Sequence, residues 1–110
     1  MAERRHAQVA EVIAHMAGDF FARESTASVL LTVTYADLSP DFKNATVYLS
    51  VLPEKEEDAT LKMAKRLRSD FRVYMQKHSF LHPTPVIDFA IDHGEKNRQR
   101  IDDLTRKKNA

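Results

Sequence analysis

At 110 residues the chain suits one compact domain with a modest core, and it is too short for a deep interior catalytic chamber. Its 43% hydrophobic and 30% charged content is that of a soluble globular protein, and no apolar run approaches the ~18 residues that span a bilayer. Cysteine is absent, which excludes disulfides, thiolate nucleophiles and Cys-ligated zinc, and the two glycines, 18 and 94, exclude a glycine-rich phosphate loop.

Val9, Val12, Ile13, Met16 and Phe20 recur at helical spacing and predict an amphipathic helix from about Glu3 to Arg23. Arg4 and Arg5 open it, but Glu3, Glu11 and Asp19 make it a poor transit peptide or secretory signal, so a cytoplasmic address is expected. From Ser28 the period changes to two. Val29, Leu31, Val33 and Tyr35 fall on one strand face, with Thr32, Thr34 and Ala36 on the other. Ser39-Pro40-Asp41 reads as a turn, and alternation resumes through Ala45, Val47, Leu49 and Val51, which together predict an antiparallel hairpin.

Pro53 ends the second strand, and Glu54 to Asp58 place four acids where a helix N-terminus carries partial positive charge. Leu61, Ala64, Leu67, Phe71 and Met75 form a helical stripe to about Ser79. Ser69 and Asp70, two good N-cap residues inside it, predict a kink there. His82-Pro83-Thr84-Pro85 stops the helix. Ile87, Phe89 and Ile91 alternate with Asp88 and Ala90 in a third strand, and Asp92 and Glu95 suit a capping box for a last helix. The expected architecture is α+β in the order α-β-β-α-α-β-α, with a three-stranded sheet and helices on one face. The core spans about 4–92, and a fraying C-terminal helix covers about 93–107.

A formal net charge of +1 implies no partner by itself, but its distribution does. Between Lys62 and Lys77 stand six bases (Lys62, Lys65, Arg66, Arg68, Arg72 and Lys77) and one acid, Asp70. A segregated field of this kind steers a polyanion to one face, whereas the plainer reading is a helix kept soluble by charge. Tyr48, on the polar side of its strand, is the best candidate for stacking on an unpaired base, ahead of Tyr74 and Phe80. His78 and His82 have ligand spacing, but Pro83 ends the helix between them and no third ligand is evident, so no metal is expected. The acids form a helix-start cluster rather than a converging pair, and nothing pairs a nucleophile with a base, so neither catalysis nor a cofactor is expected.

Leu31 to Leu52, with its Ser39-Pro40-Asp41 turn and Ala45-Thr46-Val47-Tyr48-Leu49-Ser50, resembles the hairpin of the ribosome-binding factor A family. Pro85-Val86-Ile87-Asp88-Phe89-Ala90-Ile91-Asp92 resembles that family's third strand at the expected distance, and the resemblance runs from about Arg4 to Leu104. It implies a single KH type II-like domain without the Gly-x-x-Gly clamp. It also implies a factor that binds the free small ribosomal subunit and assists late processing of small-subunit rRNA, notably in the cold. The family's Ala-x-Gly kink falls here on Arg68-Ser69-Asp70, where both small residues are replaced. Composition and resemblance together assign RNA contacts to Arg4, Arg5, Lys62, Lys65, Arg66, Arg68, Arg72 and Lys77. The expected partner is the small subunit and its rRNA, met by a monomer, with neither a membrane nor a small-molecule substrate involved. The alternative is a small protein–protein module without direct RNA contact.

Overall fold

The computed structural model describes residues 2–94, with side chains from Arg4 onward. The helix predicted for about 93–107 lies outside the described residues, apart from its first two positions. The elements run α1 (Ala2–Phe21), β1 (Leu30–Leu38), β2 (Asn44–Leu52), α2 (Glu57–Arg66), α3 (Arg68–His78) and β3 (Val86–Ile91). Short 3-10 turns follow α1 and precede α2. β1 and β2 pair antiparallel, β3 lies parallel to β2, and the sheet order is β1-β2-β3. A parallel neighbour needs a long crossover, and the α2–α3 pair supplies it.

The helices share one face of the sheet. α1 lies across β1, while α2 and α3 pack beside β2 and β3. β2 is the cleanest strand: Ala45, Val47, Leu49 and Val51 are buried, and the residues between them are half-exposed. The buried side of α1 is turned slightly from the predicted stripe. Ile13, Met16, Ala17 and Phe21 are buried, whereas Val12 is exposed and Phe20 only partly covered. Phe21 sets its ring edge against Phe89 at 5.1 Å, and Phe20 reaches Tyr74 at 5.4 Å, so aromatics join the end of α1 to α3 and β3.

β1 departs from strict alternation. A bulge between Val33 and Tyr35 leaves Thr34 as the extra residue, its hydroxyl donating to the Tyr48 carbonyl at 3.2 Å. Before the bulge Leu31 faces the helices; beyond it Leu38 is the buried residue. Tyr35, which strict alternation puts on the same face as Leu31 and Val33, is therefore exposed on the open face and stacks on Tyr48 at 4.5 Å. Partial desolvation, then Tyr48 and the Asp92 and Asp37 carboxylates, raise the Tyr35 hydroxyl above its ordinary pKa.

Local hydrogen bonds correct two further boundaries. The Thr26 hydroxyl accepts from the Ser28 and Val29 amides, so β1 begins at Leu30 rather than Ser28. The break between α2 and α3 falls at Leu67, not at Ser69-Asp70. Leu67 donates its amide to the Ala64 carbonyl at 3.0 Å, and its own carbonyl accepts from Phe71 at 2.9 Å. Neither Ser69 nor Asp70 caps α3: both lie inside its first turn, and the cap position falls on Leu67, which offers no side-chain hydrogen bond.

Candidate nucleic-acid interface

On α2, Lys62, Lys65 and Arg66 stand at i, i+3 and i+4, all exposed, opposite the buried Thr60 and Ala64. Lys65 and Arg66 occupy the last turn, where the helix dipole favours cations, as Glu57 and Asp58 in the first turn suit the other end. On α3, Phe71 and Met75 face the core. Arg68 and Arg72, one turn apart, look toward β3. Arg72 donates to the Thr84 carbonyl at 3.0 Å, and Arg68 reaches Asp88 on β3 at 3.4 Å. Arg68 also donates its Nε to the Lys65 carbonyl at 3.1 Å, bridging the helix break.

Lys65, Arg68 and Arg72 thus follow the outer edge of β3, with Lys62 and Arg66 on the adjoining face of α2. Two of these five cations share one carboxylate. Asp88 takes Lys65 at 3.7 Å and Arg68 at 3.4 Å, and about half of each side chain is exposed. Such exposed pairs are worth about 0.2–1 kcal/mol and exchange readily for another anion. Asp88, which the sequence pattern places on the open face of the sheet, is the acidic counterpart that pattern missed. Its carboxylate also accepts the Phe89 amide at 2.8 Å.

The other predicted cations lie on another element or another helix face. Lys77 follows Arg72 by five residues, about 140° round the helix axis, and so faces another side of α3. Arg4 and Arg5 are exposed near the start of α1. Arg5 lines a cleft with the β1–β2 turn and the 80–85 loop. Of the stacking candidates, Tyr48 is half-exposed but already stacked on Tyr35, and Tyr74 is packed against Phe20 and His78. Phe80 is wholly exposed. α3 ends at His78, and His82 lies beyond it in the loop that lines the cleft. No group of three or more metal-ligating side chains occurs among the described residues.

The family model for ribosome-binding factor A matches residues 2–105. A curated Ribosome-binding factor A from Anaeromyxobacter is 32% identical over 104 residues, which cover 91% of this chain and 85% of that protein. The Bradyrhizobium protein of the same name is 28% identical over 108 residues, covering 94% and 78%. Crystalline ribosome-binding factor A from Thermus thermophilus superposes with a TM-score of 0.68 at 18% identity, over 78% of this chain and 94% of that one; it shares the KH-like fold. With the two resembling motifs, the α-β-β-α-α-β order and a match across almost its whole length, the chain belongs to the ribosome-binding factor A family.

Proposed function

We propose that the chain binds the free small ribosomal subunit through its rRNA and assists late maturation of that RNA. Lys62, Lys65, Arg66, Arg68 and Arg72 form the principal contact surface, with Arg4, Arg5 and Lys77 as outlying contacts. The observation that carries this reading is the five-cation group around the Leu67 break, two of whose members share the half-exposed carboxylate of Asp88. Membership of a family of ribosome-binding factors supports the same partner.

The mechanism is positional. Phosphates displace water and Asp88 from the lysine and arginine heads, and the planar guanidinium groups fix direction as well as charge. Selectivity comes from fit to a folded RNA surface rather than from base edges. A protein that binds one RNA conformer better than another shifts the population toward it, so maturation is assisted without any bond being made or broken by the protein. In this reading the factor acts in the cytoplasm, as a monomer, with its largest effect in the cold, where misfolded RNA conformers escape slowly.

Sedimentation through sucrose tests the proposal. Wild type should travel with free small subunits and leave large subunits bare. The variant Lys62→Glu, Lys65→Glu, Arg66→Glu should remain at the top of the gradient with an unchanged circular dichroism spectrum. Arg72 is spared because it ties α3 to the Thr84 carbonyl. A folded triple variant that still travels with small subunits would refute this surface and favour docking on a ribosomal protein.

A further inference from the structure

Phe80 is a fully exposed phenylalanine, 102% on the scale of a free residue, in a loop that is otherwise well held. On one side of it the Ser79 hydroxyl donates to the Met75 carbonyl at 2.7 Å and accepts the Leu81 amide at 3.3 Å. On the other, the buried Thr84 donates its hydroxyl to the Leu81 carbonyl at 3.1 Å, while Arg72 holds the Thr84 carbonyl. The Val86 amide then donates to the Lys43 carbonyl at 2.9 Å, fastening the loop to the β1–β2 turn. An aromatic ring is thus held out in water by a backbone fixed at both ends. Left in water, the ring adds no burial free energy to the fold, and the packing of the domain does not require it.

Beside this ring lies a cleft of 640 Å³ between the start of α1, the β1–β2 turn and the loop, lined among others by Arg5, Phe42, Lys43, Phe80 and His82. That volume lies within the usual range for small-ligand sites. Its walls are mainly apolar, while Arg5 and Lys43 are both exposed and cationic. Asp41 is the one acid in the lining, and its carboxylate is occupied by the Ser39 hydroxyl at 2.6 Å and the Lys43 amide at 3.1 Å. A flat apolar platform with two cations at its rim matches a nucleotide, which has a π-face and an anionic linkage on either side.

We propose that this cleft receives one unpaired nucleotide of the bound RNA, its base stacked on Phe80 and its flanking phosphates held by Arg5 and Lys43. The proposal rests on the RNA-binding reading above. It adds a contact separate from the helix break, since α3 is 11 residues long and its ends lie about 16 Å apart. It also gives a specific role to Arg5, which lies on α1 outside the five-cation group, and it adds Lys43 to the binding residues.

The chain has no tryptophan, so Phe80→Trp places a single indole reporter at the site. The full-length variant is titrated with a mixed-sequence single-stranded RNA octamer and, separately, with a duplex of the same sequence. The octamer should quench the indole emission saturably and the duplex should not. Phe80→Ala should weaken octamer binding about tenfold while leaving duplex binding unchanged, as expected for loss of one stacked base. Arg5→Ala with Lys43→Ala should lower the salt slope of octamer binding by about 2. Emission that stays constant at saturating octamer overturns the cleft assignment while leaving the helix-break surface intact. If Phe80→Ala loses small-subunit binding but keeps octamer affinity, a ribosomal protein occupies the cleft and the nucleotide assignment is wrong. Failure of the wild type to bind either RNA at 50 mM salt would remove the RNA reading and this proposal with it.

Discussion

Asp88 holds Lys65 at 3.7 Å and Arg68 at 3.4 Å, so in the proposed interface it limits the charge left for a phosphate. Asp88→Asn keeps the shape and releases both cations. RNA affinity should rise, and the salt slope should steepen by about 1 for each newly available contact. Because the pairs are half-exposed, the stability change should stay within about 1 kcal/mol. Fluorescence anisotropy across a salt series and a urea melt read the two effects; an unchanged slope would show that Asp88 does not compete. Asp41 governs a different local equilibrium. The Ser39 hydroxyl, the Lys43 amide and the Lys43 charge hold its carboxyl below the ordinary value of about 3.9. A depressed folded-state pKa contributes stability that is complete above the unfolded value and is lost as pH falls through the folded one. The contribution of this carboxylate to the β1–β2 turn should therefore fade as pH falls below the ordinary carboxylate range. In Ser39→Ala the Asp41 midpoint should move up toward the ordinary carboxylate value, as followed by carboxyl carbon shifts in NMR. A midpoint that stayed in place would mean the Ser39 bond is not what holds the carboxyl.

At the level of elements, the sequence pattern was most informative where one period ran unbroken. β2 and β3 follow alternation without interruption, and Ala45, Val47, Leu49, Ile87 and Phe89 are buried as that alternation demands. β1 is different because a bulge costs one residue and leaves no mark in composition. Thr34 is an ordinary strand residue, and only its pairing with Tyr48 shows that it is the extra one. Deleting Thr34 would remove the bulge while leaving Val33 opposite Leu49 and Tyr35 opposite Tyr48, so the flanking side chains keep their faces. The deletion should therefore cost no more than about 1.5 kcal/mol in a urea melt, the order of one lost hydroxyl bond. A much larger loss would mean that β1 needs the bulge to hold its register. The α2–α3 break shows a related limit. Ser69 and Asp70 are good caps by type, yet the chain turns at Leu67, where α2 closes on Ala64 and α3 opens on Phe71. Cap preference is weaker than the demand that Ala64, Phe71 and Met75 all face the same core.

For the molecule as a whole, one core joins all three strands to the helices, and Phe71 lies at its centre, fully buried against Phe20, Phe21 and Phe89. Phe71→Ala should cost about 3–5 kcal/mol in a denaturant melt, and a loss below 1 kcal/mol would show that the aromatic cluster does not hold the helices to the sheet. The cations of the candidate interface were legible in the sequence because helical spacing alone groups Lys62, Lys65 and Arg66, and Arg68 with Arg72. Spacing also separates Lys77, once the helix phase is known. What could not be read was contact between distant segments: Asp88 lies 20 residues beyond Arg68, and Lys43 meets the Phe80 loop only through the parallel pairing of β2 and β3. The central claim, that the cations at the helix break meet ribosomal phosphates, is tested most directly by one titration. The affinity of the wild-type chain for purified small subunits is measured from 50 to 200 mM potassium chloride. Phosphate contacts by any four of the five cations predict a fall of roughly 50- to 150-fold across that range. An affinity that stays constant would contradict an interface built on phosphate neutralisation.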